Sequence, residues 1–273
     1  MIEIFNTLLV NPIINILLLL YHMFFSLHIP YALGFSIVGL TILIRFILYP
    51  LISAQLKASV KMQKVAPHIS VLKEKHKGDK IKMQQETMRL YKEHGINPAA
   101  GCLPVLVQMP IIWALYSVLQ HIVTLKPSLV VTEVNKIAYF DFLKLESIWD
   151  TYFFGIPLGE MPSKLFGTMG PFVLLIPVAT GFFQFLLSKM LVPAKTALVV
   201  SKKENKEMPK KADDFASAFQ TQSMYIFPIM IGFFSYTLPF GLSLYWNTFT
   251  IFGIIQQYKI MGLGGLSAWI KKK

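Results

Sequence analysis

The chain is poor in the residues that most soluble proteins use for their surfaces and for cross-links. Only 15% of its 273 residues are charged, whereas soluble domains carry about 25%. Its one cysteine, Cys102, excludes an intramolecular disulfide and a cysteine-based zinc site. Asp and Glu number 14 against 26 Lys and Arg, so the formal net charge is +12. Most soluble enzymes are excluded, and so is a disordered chain, because 54% of the residues are hydrophobic.

Motifs that support catalysis or nucleotide binding are also missing. There is no Gly-rich phosphate loop, no His-Glu-x-x-His motif and no Gly-x-Ser-x-Gly motif. No pair of aspartates lies in an apolar segment, which excludes an intramembrane aspartyl protease. We therefore expect no catalytic residue, no metal site, no cofactor and no small-molecule substrate.

Long apolar runs separate the charged residues, which is typical of a protein that crosses a membrane several times. Residues 4–44, 94–125, 165–188 and 215–258 contain no Asp, Glu, Lys or Arg. A helix needs about 20 apolar residues to cross a bilayer, so each run can hold at least one transmembrane helix. The last run holds two, because the turn Thr237–Gly241 contains both proline and glycine.

The sequence thus predicts an all-α polytopic membrane protein, with five transmembrane helices in a single domain covering 1–273. Its predicted segments are an interfacial helix at 4–27, transmembrane helices at 33–52, 103–124, 166–188, 220–237 and 242–259, a cytoplasmic helical hairpin at 54–94, an outer loop at 126–164, a cytoplasmic loop at 189–214 and a basic tail at 260–273. The first segment is long enough to span, but polar residues interrupt it. We place it on the outer leaflet; as a sixth span it would move the N-terminus inside.

Lysine and arginine are distributed unequally among the connecting segments. Ten lie in 53–101, seven in 189–214 and four from Lys259 onward, against four in 126–164. Cytoplasmic loops are enriched in cations, so the N-terminus is predicted outside and the C-terminus in the cytoplasm. We also expect the basic segments to meet lipid headgroups and the ribosome.

Residues 54–77 and 80–94 predict the two helices of the cytoplasmic hairpin. Their thin apolar stripe includes Met62, Met83 and Met88. Methionine adapts to irregular apolar partners. The stripe is therefore interpreted either as the internal seam of the hairpin or as a mobile surface that captures varied substrate chains.

Arg45 lies near the middle of the first predicted span, where a charge costs about 2.5–3.5 kcal/mol on insertion scales. Lys57, the next cation, lies about 18 Å further along a helix, which is too far for Arg45 to reach the same interface. No Asp or Glu in a predicted span can pair with Arg45. We therefore predict a functional arginine that is exposed to water inside the membrane.

Polar residues that could form such a hydrated cavity recur in the predicted spans. Thr41 lies one turn from Arg45 on the same helix face. The others are Gln108 in the second span, Thr180, Gln184 and Ser188 in the third, and Ser243, Asn247, Thr250 and Gln257 beside Trp246 in the fifth. Each residue alone is most often explained by an interhelical hydrogen bond, but together with an unpaired arginine they indicate a hydrated cavity inside the membrane. A cavity with only a positive charge is unsuited to cation conduction.

Several motifs occur in the order of a known family. They are Gly34-Phe35-Ser36-Ile37, Thr41-Ile42-Leu43-Ile44-Arg45, Tyr49-Pro50-Leu51, Asn97-Pro98-Ala99-Ala100-Gly101-Cys102-Leu103-Pro104 and Pro239-Phe240-Gly241-Leu242-Ser243-Leu244-Tyr245-Trp246. With these motifs the chain resembles the YidC/Oxa/Alb membrane protein insertases in their short bacterial form. The resemblance covers about 33–125 and 165–260.

The resemblance implies a five-helix bundle around a hydrophilic groove that is open to the cytoplasm and to lipid but closed outside. Arg45, Thr41 and Trp246 would line or flank this groove, and we expect Gln108, Thr180, Gln184 and Asn247 to complete it. The hairpin would capture nascent membrane-protein substrates, alone or with the Sec translocon, at the bacterial cytoplasmic membrane.

Two other functions stay open at this point. An anion channel or transporter would use Arg45 as its ligand site, although the inverted repeats and broken half-helices typical of transporters are not visible. A structural assembly factor would instead hold translocon subunits together and would tolerate loss of Arg45. An intramembrane enzyme ranks last.

Overall fold

The computed structural model describes residues 2–76, 79–95, 103–124, 127–191 and 222–270. These residues are mostly helical. The helices are α1 (Ile2–Phe5), α2 (Asn11–Ser26), α3 (Ala32–Ile47), α4 (Tyr49–Lys75), α5 (Lys80–Glu93), α6 (Leu103–Thr124), α7 (Pro127–Ile137), α8 (Pro162–Met169), α9 (Leu175–Leu191), α10 (Phe227–Thr237), α11 (Phe240–Met261) and α12 (Ser267–Ile270). Most of the predicted loop 189–214 lies outside the described residues.

Shorter elements connect the helices. Wide π-helical turns cover Asn6–Val10 and Gln222–Ile226, and 3-10 turns cover Asp141–Leu143, Pro171–Leu174 and Gly264–Leu266. Strands β1 (Tyr152–Phe153) and β2 (Ile156–Pro157) pair antiparallel in a small hairpin. The class is therefore all-α apart from this hairpin, in agreement with the predicted class.

Two helical stretches within the described residues are long and apolar enough to cross a membrane. They are Glu3–Ser26 and Pro171–Leu191. A third exists if Ala32–Ile47 and Tyr49–Met62, which are bent by 60°, count as one span. The interfacial position of 4–27 stays a prediction, because its length alone would also permit it to span.

Two predicted spans are interrupted where proline or glycine stands. The predicted helix 33–52 ends at Ile47, and α4 starts at Tyr49 with Pro50 in its first turn. Proline fits that position because its missing N–H would have no helical partner there. The predicted helix 166–188 instead begins after Gly170, whose positive φ of 77° ends α8 and is a conformation that glycine adopts most readily.

Helices α9 and α10 approach backbone to backbone at Gly181 and Gly232. A Cβ on Gly181 would lie 3.3 Å from the Pro228 carbonyl oxygen, and one on Gly232 would lie 3.2 Å from the Pro177 carbonyl oxygen. Small residues permit such close packing of membrane helices, where dispersion contacts rather than water exclusion drive association. The two helices are antiparallel, because 177 lies opposite 232 and 181 lies opposite 228.

The largest cluster of buried apolar side chains joins α2, α3, α6 and α11 to the segment between α6 and α8. Fully buried members include Leu18, Leu40, Leu115, Leu158 and Tyr245. Helix α11 therefore packs against α3 on one side and against α9 on the other. This central position brings α3, α9 and α11 together around the candidate site.

Asn15 of α2 ties the segment that was predicted as an outer loop to the bundle. Its Nδ2 donates to the Ile137 carbonyl oxygen at 2.9 Å, and its Oδ1 accepts from the Tyr139 N–H at 2.7 Å. The β-hairpin lies against α3, since a Cβ on Gly34 would collide with the Phe153 ring. The segment has an ordered fold, although its sequence shows no clear periodicity.

We expect Asn15→Ala to destabilise this contact, because a buried donor and acceptor would lose their side-chain partner at a cost of about 1–3 kcal/mol. The thermal unfolding midpoint in detergent should fall, and limited proteolysis should cut faster near 139–150. Ser26→Ala, an exposed change on the same helix, is the control. Equal midpoints and equal cleavage for both variants would contradict this role of Asn15.

Candidate functional site

Arg45 projects from α3 onto α11. Its Nη2 donates to the backbone carbonyl oxygen of Phe249. The guanidinium carbon lies 3.5 Å from the centroid of the Phe249 ring and 5.9 Å from that of Phe252. The residue is 3% exposed, so the positive charge is buried between the two helices.

The prediction that Arg45 is exposed to water is wrong for this conformation. The side chain finds a protein acceptor and an aromatic face instead, and a cation over a ring contributes about 2 kcal/mol when desolvated. These contacts offset part of the cost of placing a charge among apolar helices. The compensation is incomplete, because the buried Nε of Arg45 has no hydrogen-bond partner among the described residues.

Buried polar side chains of α9, α10 and α11 form one hydrogen-bond network. Thr180 Oγ1 lies 3.1 Å from Ser235 Oγ, and it accepts from Asn247 Nδ2 at 3.0 Å. Ser235 Oγ in turn lies 2.8 Å from Ser243 Oγ. A polar residue of each helix is thus satisfied by its neighbours inside an apolar bundle.

Gln184, one turn further along α9, is the centre of a second group of hydrogen bonds between α9 and α11. Its Oε1 accepts from Trp246 Nε1 at 3.3 Å and from Thr250 Oγ1 at 3.4 Å. Thr250 directly follows Phe249, so this group and the Arg45 contact occupy the same stretch of α11. Four predicted site residues thus take part in hydrogen bonds between α9 and α11, in two pairs: Thr180 with Asn247 and Gln184 with Trp246.

Thr41, another predicted groove residue, takes no part in these interhelical hydrogen bonds. Thr41 is completely buried, and its hydroxyl donates to the Ile37 carbonyl oxygen of its own helix at 2.6 Å. The side chain of Gln108 lies outside the described residues. The structure therefore does not place Thr41 in polar contact with α9 or α11.

Three residues that contact the site carried no prediction. Ser235 could have been found, because it lies in an apolar stretch facing the polar stripe of α9. Phe249 and Gly253 could not be found from the pattern of polar residues. Phe249 contacts Arg45 through its ring and its backbone carbonyl, and Gly253 leaves room for Arg45 because it has no side chain. A Cβ on Gly253 would lie 2.6 Å from Arg45 Nη2.

The hairpin consists of α4 and α5, and Asp79 caps α5 by accepting from the Lys82 N–H at 3.0 Å. Met62 and Met83 are half-buried, whereas Met88 is exposed. The base of the hairpin is fixed to α11, because Gln256 Nε2 donates to Ser53 Oγ at 3.1 Å.

The end of α9 contacts the last described residues. Lys189, which was predicted to start a solvated loop, is buried with its Nζ 4.4 Å from the centroid of the Trp269 ring. Gly264 lies against the Met190 backbone, where no Cβ could fit. The beginning of the predicted tail therefore folds back on α9, while the terminal lysines lie outside the described residues.

These features define a helical membrane protein with a buried arginine beside an interhelical polar network. In the described ranges, no three His, Cys, Asp or Glu residues come together as they would to hold a metal ion. The sequence profile of the 60Kd inner membrane protein family matches residues 24–264. The chain belongs to this family.

Curated relatives carry insertase and inner-membrane names. The chain is 34% identical over 231 residues to membrane protein insertase YidC of Fusobacterium nucleatum, covering 85% of this chain and 87% of the relative. It is 30% identical over 235 residues to membrane protein insertase YidC 1 of Halalkalibacterium halodurans, covering 85% and 70%. Identity to the chloroplastic inner membrane protein ALBINO3 of Arabidopsis thaliana is 30% over 250 residues, covering 88% and 49%, so the chain spans about half of that relative.

We expect Thr180→Val to weaken the packing of α9 against α10 and α11, because it removes the hydroxyl that contacts both Ser235 and Asn247. Interhelical hydrogen bonds in membranes contribute about 0.6 kcal/mol each and at most about 1.7. A loss of about 1–2 kcal/mol should appear in unfolding of the protein in mixed micelles.

Thr237→Val is the matched control, since that exposed hydroxyl donates only to carbonyl oxygens of its own helix. If the two variants unfold at the same denaturant concentration, the network makes no net contribution to stability.

Proposed function

We propose that the protein inserts nascent membrane proteins into a lipid bilayer, as the names of its relatives suggest, and that it does so without nucleotide hydrolysis. The observation that carries this proposal is Arg45. In the described part of the chain no carboxylate forms an ion pair with it, and its partners are a neutral carbonyl and aromatic rings. A charge kept within apolar helices without a counter-ion is suited to a transient anionic ligand.

The ligand would be an acidic segment of a client protein on its way across the membrane. The guanidinium stays protonated and can hold a carboxylate through two parallel hydrogen bonds. Such attraction must be short-lived, because a tightly held client would not proceed into lipid. A membrane potential that is positive outside would also pull each negative charge outward with about 2.3 kcal/mol per 100 mV.

The polar faces of α9 and α11 would form the wall of a hydrophilic groove once the bundle opens toward Arg45. The hydrogen bonds among these polar side chains would then be replaced by hydrogen bonds to water or to polar groups of the client. The side chains concerned are Thr180, Gln184, Trp246 and Asn247. A hydrated groove shortens the apolar distance that a client's polar tail must cross, and the apolar segment of the client leaves sideways into lipid. We place Thr41 and Gln108 on the other walls.

The arrangement of the outer segment supports a topology with five spans, the N-terminus outside and the C-terminus in the cytoplasm. Helix α2 contacts that segment along its length, through Asn15 to Ile137 and through His22 Nε2 to the Leu143 carbonyl oxygen. A helix lying on the outer leaflet would make such lengthwise contacts. The hairpin and Gln256 then lie at the cytoplasmic end.

The proposed location is the bacterial cytoplasmic membrane. The proposed partners are client chains, the Sec translocon, the lipids of the bilayer and the ribosome, the last through the basic cytoplasmic segments.

Arg45→Ala should impair insertion of a single-span client with an acidic outer tail, whereas Arg45→Lys should be milder because it keeps the charge. The measurement is protease protection of a labelled client in liposomes that contain the purified protein. The same client with Asn and Gln in place of its tail acids is the control and should respond less. Wild-type insertion of the acidic client by Arg45→Ala would refute the electrostatic mechanism.

Replacing 57–92 with a short Gly-Ser linker should reduce client capture, since it removes the part of the hairpin beyond Ser53 and Leu56. The readout is crosslinking of stalled client chains, followed by insertion. Exchanging Met62, Met83 and Met88 for leucine tests methionine itself, because it keeps the surface apolar but stiffer. Undiminished crosslinking after the deletion would exclude the hairpin as the capture element.

A further inference from the structure

The surface of α11 forms a receptacle for the Arg45 guanidinium. The Phe249 ring covers one face of the guanidinium, and the Phe249 carbonyl oxygen accepts from Nη2. That carbonyl oxygen has two lone pairs, so it can accept a hydrogen bond from Arg45 and also accept the intrahelical hydrogen bond of α11. One turn further along α11, Gly253 borders the same group.

Glycine at position 253 leaves room for the Arg45 guanidinium, and the backbone conformation there does not require glycine. Its φ lies outside the left-handed region, since it is not among the positive-φ glycines. A Cβ there would lie 2.6 Å from Arg45 Nη2 and 3.4 Å from Arg45 Cζ. The atoms that would have to move belong to the tip of a flexible side chain. Alanine at 253 is therefore compatible with the helix but not with the present position of the guanidinium.

The held position conflicts with ligand binding. A carboxylate needs two parallel N–H groups of the guanidinium, whereas here Nη2 is engaged, one face is covered and the residue is 3% exposed. Arg45 must withdraw from α11 before it can meet an anion. The acceptor it leaves is a neutral carbonyl, which bonds a cation more weakly than a carboxylate does. An incoming acid can therefore replace it.

We propose that Phe249 and Gly253 are positioning residues that hold Arg45 buried in the substrate-free protein and release it when an acidic segment arrives. The identity of the displacing ligand rests on the proposed function. The held state itself does not, and it can be tested without any client.

The chain offers an internal standard, because its sequence contains two arginines, Arg45 and Arg89. The Arg89 side chain is 70% exposed. Phenylglyoxal modifies accessible arginines, and peptide mass spectrometry quantifies each site separately. In the purified full-length protein in micelles, Arg45 should react at least about tenfold more slowly than Arg89, which corresponds to an opening free energy of about 1.4 kcal/mol.

Gly253→Ala should accelerate modification of Arg45 and leave that of Arg89 unchanged. Gly39→Ala is the matched control, since a Cβ at Gly39 on α3 would make ordinary contacts of 3.4 Å and longer with Phe24 and Leu20. Labelling of Arg45 in this control should equal that of the wild type.

Phe249→Leu provides a second route if Gly253→Ala does not fold. It keeps the backbone carbonyl and removes the ring face, so Arg45 should again react faster. Phe252→Leu should have a smaller effect, because that ring lies further from the guanidinium.

Two results would overturn the proposal. One is equal reactivity of Arg45 and Arg89 in the wild type. The other is unchanged protection of Arg45 in folded Gly253→Ala or Phe249→Leu. If labelling behaves as expected but the protein inserts no client, the receptacle stands and the proposed function fails.

Discussion

The rest of this structure depends on where a single guanidinium can go inside an apolar bundle. An arginine between α3 and α11 must be compensated by nearby groups, and the described part of the chain supplies no carboxylate for it. The bundle uses a main-chain carbonyl and an aromatic face instead, both from Phe249. Neutral partners of this kind keep the charge available, whereas a permanent ion pair would neutralise it.

The buried polar side chains of α9, α10 and α11 are likewise bonded to neutral partners within the bundle. They bond to one another, as buried polar groups usually do. Among the described residues of α11, the side-chain oxygens Asn247 Oδ1, Gln256 Oε1 and Gln257 Oε1 are buried and have no partner. A set of side chains with such modest mutual bonds can exchange them for bonds to water at little cost, which is what a temporary polar passage requires.

Much of this arrangement could be predicted from the sequence. The features that could not be predicted have physical reasons for leaving no sequence pattern. Arg45 is conspicuous because it interrupts an apolar run, and the spacing of Thr180 and Gln184 places both on one helix face. The acceptors of Arg45 were not predictable, since a carbonyl and a ring leave no polar signature. The helix break at Leu48 was signalled by Pro50 but was missed. The fold of residues 127–161 was not predicted, because side-chain hydrogen bonds to the backbone, such as those of Asn15, shape this segment rather than periodic packing.

The connection between α10 and α11 has a mechanical consequence. The Phe240 N–H donates to the Glu160 carbonyl oxygen at 2.8 Å, and the Gly241 N–H donates to the Leu158 carbonyl oxygen at 2.7 Å. These bonds hold the first turn of α11 against the segment between α7 and α8. The other end of α11 is held as well, because Gln256 Nε2 donates to Ser53 Oγ at 3.1 Å and Gln257 Nε2 donates to the Met190 carbonyl oxygen at 3.3 Å. Both ends of α11 are therefore anchored to neighbouring elements, which opposes a rigid-body tilt about either end.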